Sequence, residues 1–230
     1  MKNRPRSKQR SPSHLTNKGQ LLPAVALFAL LGFTATIFWV RAIKPIGIDR
    51  KTTLLFQRVS NHGFYRLMIL ASSLGYAPVV HLLVIAAATL MALARKPVEA
   101  LFTLASAGAA AIVVMVKVLV GRPRPSGERI RVASRLPDYG FPSAHAAHYV
   151  SFYGFLAYLA ATQLRAGLSR RLAVGLPLFL ITVVGPSRVY LGQHWLSDVV
   201  AAYLFGLAYL IGLTKLYQRL RAMNNHWIGV

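Results

Sequence analysis

The stretch GQLLPAVALFALLGFTATIFWV, from Gly19 to Val40, runs for 22 residues without one Asp, Glu, Lys or Arg. A helix rises about 1.5 Å per residue, so this run is long enough to cross a hydrocarbon core of about 30 Å. Five further stretches repeat the pattern: within Leu67 to Ala94, Ala100 to Val120 with only Lys117 charged, Ala144 to Leu164, Leu172 to Ser187, and Val199 to Thr214. The last two have 16 residues each and need their flanks to span; His194 to Asp198 is expected to join the sixth helix. Backbone groups in lipid find partners only within helices or closed barrels, and the period-two alternation of a barrel strand is missing. The expected fold is all-α, an integral membrane bundle of six transmembrane helices.

The second stretch exceeds one crossing, and Pro78 divides it after Ser72-Ser-Leu-Gly75. Thr53 to Leu74 then reads as partly interfacial helix with a span from Tyr76 to Ala94, or the whole as one long tilted helix; hydrophobic length does not fix tilt. The expected organisation is a disordered basic cytoplasmic tail over 1–20, a six-helix domain over 21–217 and a short C-terminal tail over 218–230.

Composition agrees with a membrane protein. The chain has 230 residues, 55% of them apolar and only 14% charged, against about 25% charged in soluble domains. Its 27 Lys+Arg against 5 Asp+Glu give a net charge of +22, which alone suggests nucleic acid or anionic lipid as partner. Lys2, Arg4, Arg6, Lys8, Arg10 and Lys18 precede the first apolar run, so this tail serves better as a cytoplasmic topology anchor beside anionic lipid than as a nucleic-acid arm. The run of 22 residues exceeds a signal-peptide core, and the tail is expected to stay attached. With the N-terminus inside, 14 of the 27 basic residues fall on inner segments, so 13 outer ones need another explanation. With no cysteine, thiolate chemistry and disulfides are excluded.

Span parity collects three polar clusters on one membrane face: Lys117 to Arg122-Pro-Arg124-Pro125, then Pro142-Ser143-Ala144-His145, then Ser187-Arg188 with His194 and Asp198. Guanidinium forks and a lysine suit phosphate oxygens, and Arg122 competes with Arg124 for that role. Arg129, Arg131 and Arg135 follow, opposed by Glu128 and Asp138. Ser143 can cap a helix whose first N–H groups face an anion; His148, one turn beyond His145, reads as structural or supporting. His194 and Asp198 are four apart, so on a helix Asp198 can accept from one ring nitrogen and leave the other its lone pair.

In order and spacing, these clusters resemble the type-2 phosphatidic acid phosphatase superfamily, membrane relatives of vanadium haloperoxidases and bacterial acid phosphatases. Its pattern is Lys-x6-Arg-Pro, Pro-Ser-Gly-His and Ser-Arg-x5-His-x3-Asp. Lys117 to Arg124-Pro125 fits the first, Pro142 to His145 the second with Ala144 in place of glycine, and Ser187 to Asp198 the third. The spacing favours Arg124 over Arg122. The resemblance implies a phosphatase in which His194 attacks phosphorus to form a phosphohistidine, Asp198 orients its ring, and His145 protonates the leaving group and then activates water. Lys117, Arg124, Arg188, Ser143 and the N–H of Ala144 would hold the phosphate.

The site is expected to need no metal and no cofactor, since Asp198 is taken as the only acid near the chemistry. A site where lipid meets water suits a lipid phosphate or polyprenyl diphosphate: phosphatidate, phosphatidylglycerol phosphate or undecaprenyl diphosphate. The expected partners are that lipid and the bilayer, not nucleic acid; the expected location is a bacterial cytoplasmic membrane with the site facing outward. A soluble or sugar phosphate is the rival substrate, and a lipid-phosphate binding or transport protein without turnover the rival class.

Overall fold

The computed structural model describes residues 13–43, 46–127 and 129–228, and within them the chain is all-helical, without strands. Ten α-helices follow in order: α1 Ser13–Ala42, α2 Ile46–Phe56, α3 His62–Ser73, α4 Val79–Leu93, α5 Pro97–Ala105, α6 Gly108–Val120, α7 Ala144–His148, α8 Gly154–Gln163, α9 Leu168–Tyr190 and α10 Leu196–Ile228. A π-helical turn, Tyr149–Tyr153, joins α7 to α8 in one continuous rod. Of the basic tail expected over 1–20, residues 1–12 lie outside the described ones, and α1 already begins at Ser13. At the other end α10 runs to Ile228, through most of the segment expected as a tail.

Local chemistry sets the breaks. Asn61 caps α3 by accepting from the Phe64 N–H at 3.1 Å, and Pro97 opens α5 where its missing N–H costs nothing. Gly121 ends α6 in the left-handed region, φ 64°, with its N–H on the Lys117 carbonyl. The segment is therefore not one long tilted helix; the break between Ser73 and Val79 agrees with the alternative of a helix ending near Leu74 and a separate one within Tyr76 to Ala94. It is three separate helices, α2, α3 and α4, broken near Asn61 and again between Ser73 and Val79.

Among the described residues, four helical stretches are long and apolar enough to cross a membrane: Gln20–Ala42, Pro97–Val120, Leu168–Tyr190 and Leu196–Met223. The expected count of six is thus met only in part. At 15 residues α4 reaches about 22 Å, short of a full core. The α7–α8 rod is long enough but carries His145, His148, Tyr149, Ser151 and Tyr153, nearly all buried. It is the centre of the bundle, so protein rather than lipid surrounds it and the apolar requirement lapses.

The packing is that of a membrane protein, with large apolar side chains outward. Phe28, Leu93 and Leu119 are 74%, 76% and 71% exposed, a surface that water would penalise. The core is built around the rod. Ala146 and Ala147 pack with Val113 of α6, Val189 of α9 and Val199 and Ala202 of α10. At Gly206 a Cβ would lie 2.9 Å from Val150 and 3.1 Å from the Ala147 carbonyl, so only glycine lets α10 lie this close to the rod. This contact brings the start of α10 beside the start of α7, where the three polar clusters meet.

Candidate active site

Lys117 lies in the last turn of α6 and is buried rather than extended to the interface. Its Nζ donates to Asp138 Oδ2 at 2.7 Å and to the Tyr139 carbonyl at 2.5 Å. Arg124 leaves the loop after α6 and donates from Nη2 to Asp138 Oδ1 at 2.5 Å, from Nε to the Asp138 carbonyl at 2.8 Å and from Nη1 to the Gln193 carbonyl at 2.6 Å. Asp138, half exposed, thus bridges both cations with one carboxylate. Partial burial would raise its pKa, but the bonds from Lys117 and Arg124 outweigh that and hold it below the usual carboxylate range.

Arg188, in the last turn of α9, is completely buried. Its Nη1 donates to Ser72 Oγ at 2.6 Å and Tyr76 OH at 2.7 Å, while Nε and Nη2 are buried without a partner. A buried guanidinium with two idle donors is costly unless an anion completes it. His145 is also incomplete, its Nε2 unpaired. Its ring sits edge-on to Tyr76 at 4.6 Å, and Gly75 leaves room that a Cβ would take from the His145 ring. Ser143 caps α7, its Oγ facing the Ala146 N–H at 3.5 Å and its own N–H donating to the Asp198 carbonyl at 3.1 Å.

His194 corrects the expectation that it shares a helix with Asp198. It lies in the turn from Leu191 to Trp195 between α9 and α10. Gly192 at φ 65° makes that turn tight, and the Arg188 carbonyl accepts from the N–H groups of Gln193 at 3.1 Å and His194 at 3.3 Å. The acceptor nearest His194 Nδ1 is the Gly140 carbonyl at 2.7 Å; Asp198 Oδ2 stands at 3.5 Å. A carbonyl can only accept, so Nδ1 carries the proton and Nε2 the lone pair, with Arg124 Nη1 at 3.1 Å from it. Burial, then the fields of Arg188, Arg124 and Lys117, push the His194 pKa well below 6.5 and keep the ring neutral. His194 Nε2 thus lacks a proton and lies in the fields of three cations, Arg188, Arg124 and Lys117.

The structure therefore brings Lys117, Arg124, Arg188, His145 and His194 to one end of the bundle, with Ser143 and Ala144 at the helix start beside them. It also adds residues absent from the motifs. Asp138, Gly140, Ser72, Tyr76 and Gln193 hold the cations and rings described above; Tyr76 OH donates to Gln193 Oε1 at 2.6 Å. Asp198 is not the only acid near the chemistry, since Asp138 touches two of the cations. Nor is Arg122 free to be a rival phosphate ligand: it is buried and paired with both Asp49 and Asp198. One available signal was scarcity. Of the five acids in a chain of net charge +22, Asp49, Asp138 and Asp198 all meet here.

A model of the PAP2 superfamily matches residues 96–222, more than half of the chain, and this span contains every motif residue from Lys117 to Asp198. The chain belongs to the PAP2 superfamily. Among curated relatives it is 33% identical over 126 residues to the decaprenylphosphoryl-5-phosphoribose phosphatase of Mycobacterium tuberculosis, covering 54% of this chain and 64% of that protein. It is 28% identical over 104 residues to lipid phosphate phosphatase delta of Arabidopsis thaliana, covering 41% of this chain and 25% of the relative. The chain thus matches only part of either relative's length. In fold, it resembles the crystal structure of the transmembrane PAP2 phosphatidylglycerolphosphate phosphatase of Bacillus subtilis. The TM-score is 0.75 at 20% identity, over 84% of this chain and 96% of that one. The Aquifex aeolicus LpxE structure matches with a TM-score of 0.57 at 17% identity, over 73% and 95%. An all-helical PAP2 member with lipid-facing helices is an integral membrane protein.

Proposed function

We propose that this PAP2 protein hydrolyses a lipid phosphate at the membrane interface through a phosphohistidine at His194. In the first step the Nε2 lone pair attacks phosphorus as the P–O bond to the leaving group breaks, and His145 gives that oxygen its proton. Water then attacks phosphorus, His145 takes the water's proton, and the P–N bond breaks to release phosphate. Lys117, Arg124 and Arg188, with the N–H groups at the start of α7, hold the equatorial oxygens and the charge that builds on them. The observation that carries the proposal is Arg188: a fully buried guanidinium with Nε and Nη2 unpaired beside a neutral imidazole. Charge balance here is supplied by cations, so the proposal includes turnover without a metal ion.

The substrate class is supported by two recesses that flank the site. One, of about 640 Å³, is lined by apolar Val40, Ile46 and Val120 together with Arg41, Arg50 and Arg124, a mixture that suits an anionic head group entering from a lipid layer. The other, of about 430 Å³ and mostly apolar, lies between α4 and α6 and ends at His145, where a leaving alcohol would depart. Together they favour a lipid over a soluble phosphate. The relatives' names extend the candidates to a polyprenyl-linked sugar phosphate, beside phosphatidate, phosphatidylglycerol phosphate and undecaprenyl diphosphate. In this proposal six spans place both termini in the cytoplasm and the site on the outer face, with α4 and the α7–α8 rod completing the count.

The test is phosphate release by the full chain in lipid nanodiscs containing EDTA, over that panel and a short-chain analogue, with His194→Ala as blank. Long-chain turnover well above the analogue is expected. Strict dependence on added magnesium, equal rates on the analogue, or undiminished release by His194→Ala would each contradict the proposal.

A further inference from the structure

Asp49, on α2 and outside the span matched by the superfamily model, is bonded to the first turn of α10. It is 1% exposed. Its Oδ1 accepts from the Ser197 N–H at 3.0 Å and its Oδ2 from Ser197 Oγ at 2.6 Å and Arg122 Nη2 at 2.6 Å. Arg122 Nη1 in turn donates to Ser197 Oγ at 2.7 Å and to Asp198 Oδ1. Asp198 Oδ2 accepts from the Trp195 N–H at 2.9 Å and stands 3.5 Å from His194 Nδ1. The chain Asp49, Arg122, Asp198, His194 is buried throughout.

The charges in this chain do not cancel. Two carboxylates against one guanidinium leave one net negative charge, and it lies behind the imidazole rather than in front. Neutral His194 has no need of it. A phosphorylated imidazole does: once Nε2 bonds to phosphorus while Nδ1 keeps its proton, the ring is cationic in a buried pocket already holding Lys117, Arg124 and Arg188. If Arg122 had Asp198 as its sole acid, the pair would be neutral and nothing behind the ring would offset the new charge. Asp49 takes up the Arg122 charge and leaves that of Asp198 for His194. It also accepts from the second N–H of α10, which fixes the turn carrying Asp198.

We infer that Asp49 is a positioning residue that keeps a net negative charge behind His194 by neutralising Arg122, and so favours the cationic phosphohistidine. The inference rests on the covalent route proposed above. It concerns the intermediate, not substrate capture, so the effect should fall on kcat.

The experiment compares Asp49→Asn, Arg122→Gln and the double variant in nanodiscs, reading kcat, KM, thermal midpoint and the steady-state level of phosphohistidine. Asp49→Asn leaves the chain neutral; the double variant restores one negative charge on Asp198. Expected for Asp49→Asn are a fall in kcat of about 10-fold or more, KM within about 2-fold, and less phosphohistidine. The double variant should recover several-fold in kcat over Asp49→Asn, a rescue that a merely structural Asp49 would not give. Unchanged kcat in Asp49→Asn, or a folded double variant no faster than it, would overturn the inference. If Asp49→Asn does not fold, the double variant decides: turnover within about 10-fold of wild type supports charge balance, and a dead or unfolded double variant overturns it. Wild-type turnover with His194→Ala inactive shows that the route itself stands, so the two failures are distinguishable.

Discussion

Two buried polar clusters cap opposite ends of this bundle, and they differ in what they leave undone. At the start of α5, Glu99 Oε1 accepts from Tyr217 OH at 2.8 Å and Gln163 Nε2 at 3.0 Å, Lys96 Nζ donates to Gln163 Oε1 at 2.7 Å, and Arg221 Nη1 donates to Tyr217 OH at 2.8 Å. None of the unpaired buried side-chain atoms among the described residues falls in this cluster. At the other end Arg188 Nε and Nη2 and His145 Nε2 are all unpaired, and the deficit continues along the rod at His148 Nε2 and Tyr153 OH. A closed network holds helices together. An open one, with a buried guanidinium and a histidine nitrogen unpaired, keeps donors available for an anion.

That contrast predicts opposite mutational signatures. Arg188→Met should lower kcat/KM by about 10³-fold, the scale of a lost transition-state donor, while the thermal midpoint holds or rises because a costly buried cation is gone. Glu99→Ala should do the reverse, lowering the midpoint by several degrees with kcat/KM per folded molecule unchanged. Differential scanning beside lipid-phosphate kinetics checks both; a destabilised Arg188→Met with normal kinetics would erase the distinction. A smaller effect is expected from inorganic phosphate, which should raise the wild-type midpoint in proportion to the logarithm of its concentration and leave that of Arg188→Met unmoved.

The smallest effect concerns Asp138, whose carboxylate pairs with Lys117 and Arg124, the cations proposed to meet a substrate's oxygens. Asp138→Asn should lower KM by a few-fold at similar kcat. Because Lys117 and Arg124 outweigh burial and hold the Asp138 pKa below the usual range, it stays ionised from pH 5 to pH 8, and the KM ratio between variant and wild type should be the same at both. A KM that rises in the variant would mean that Asp138 serves the substrate rather than competing with it.

The sequence made the helical membrane class legible because apolar length is a property of contiguous residues, and it made Lys117, Arg124, His145, Arg188 and His194 legible because their spacing repeats a family pattern. It misjudged what depends on shape. The four-residue step from His194 to Asp198 places two side chains on one face only if both are helical, and the turn at Gly192 puts His194 before the helix. Spacing set Arg124 above Arg122 as phosphate ligand, but it could not show what occupies Arg122, because its partners Asp49 and Asp198 lie 73 and 76 residues away. Nor did apolar length show that His148, Tyr149 and Tyr153 of the α7–α8 rod are buried inside the bundle.

The central claim is the nucleophile, and trapping tests it most directly. Wild-type protein mixed with lipid phosphate labelled on its terminal phosphorus and quenched within milliseconds should carry label that survives alkali and is released by acid, the behaviour of a phosphoramidate on histidine. His194→Ala should carry none. Label that persists in His194→Ala, or wild-type turnover with no labelled protein at any quench time, would contradict the account.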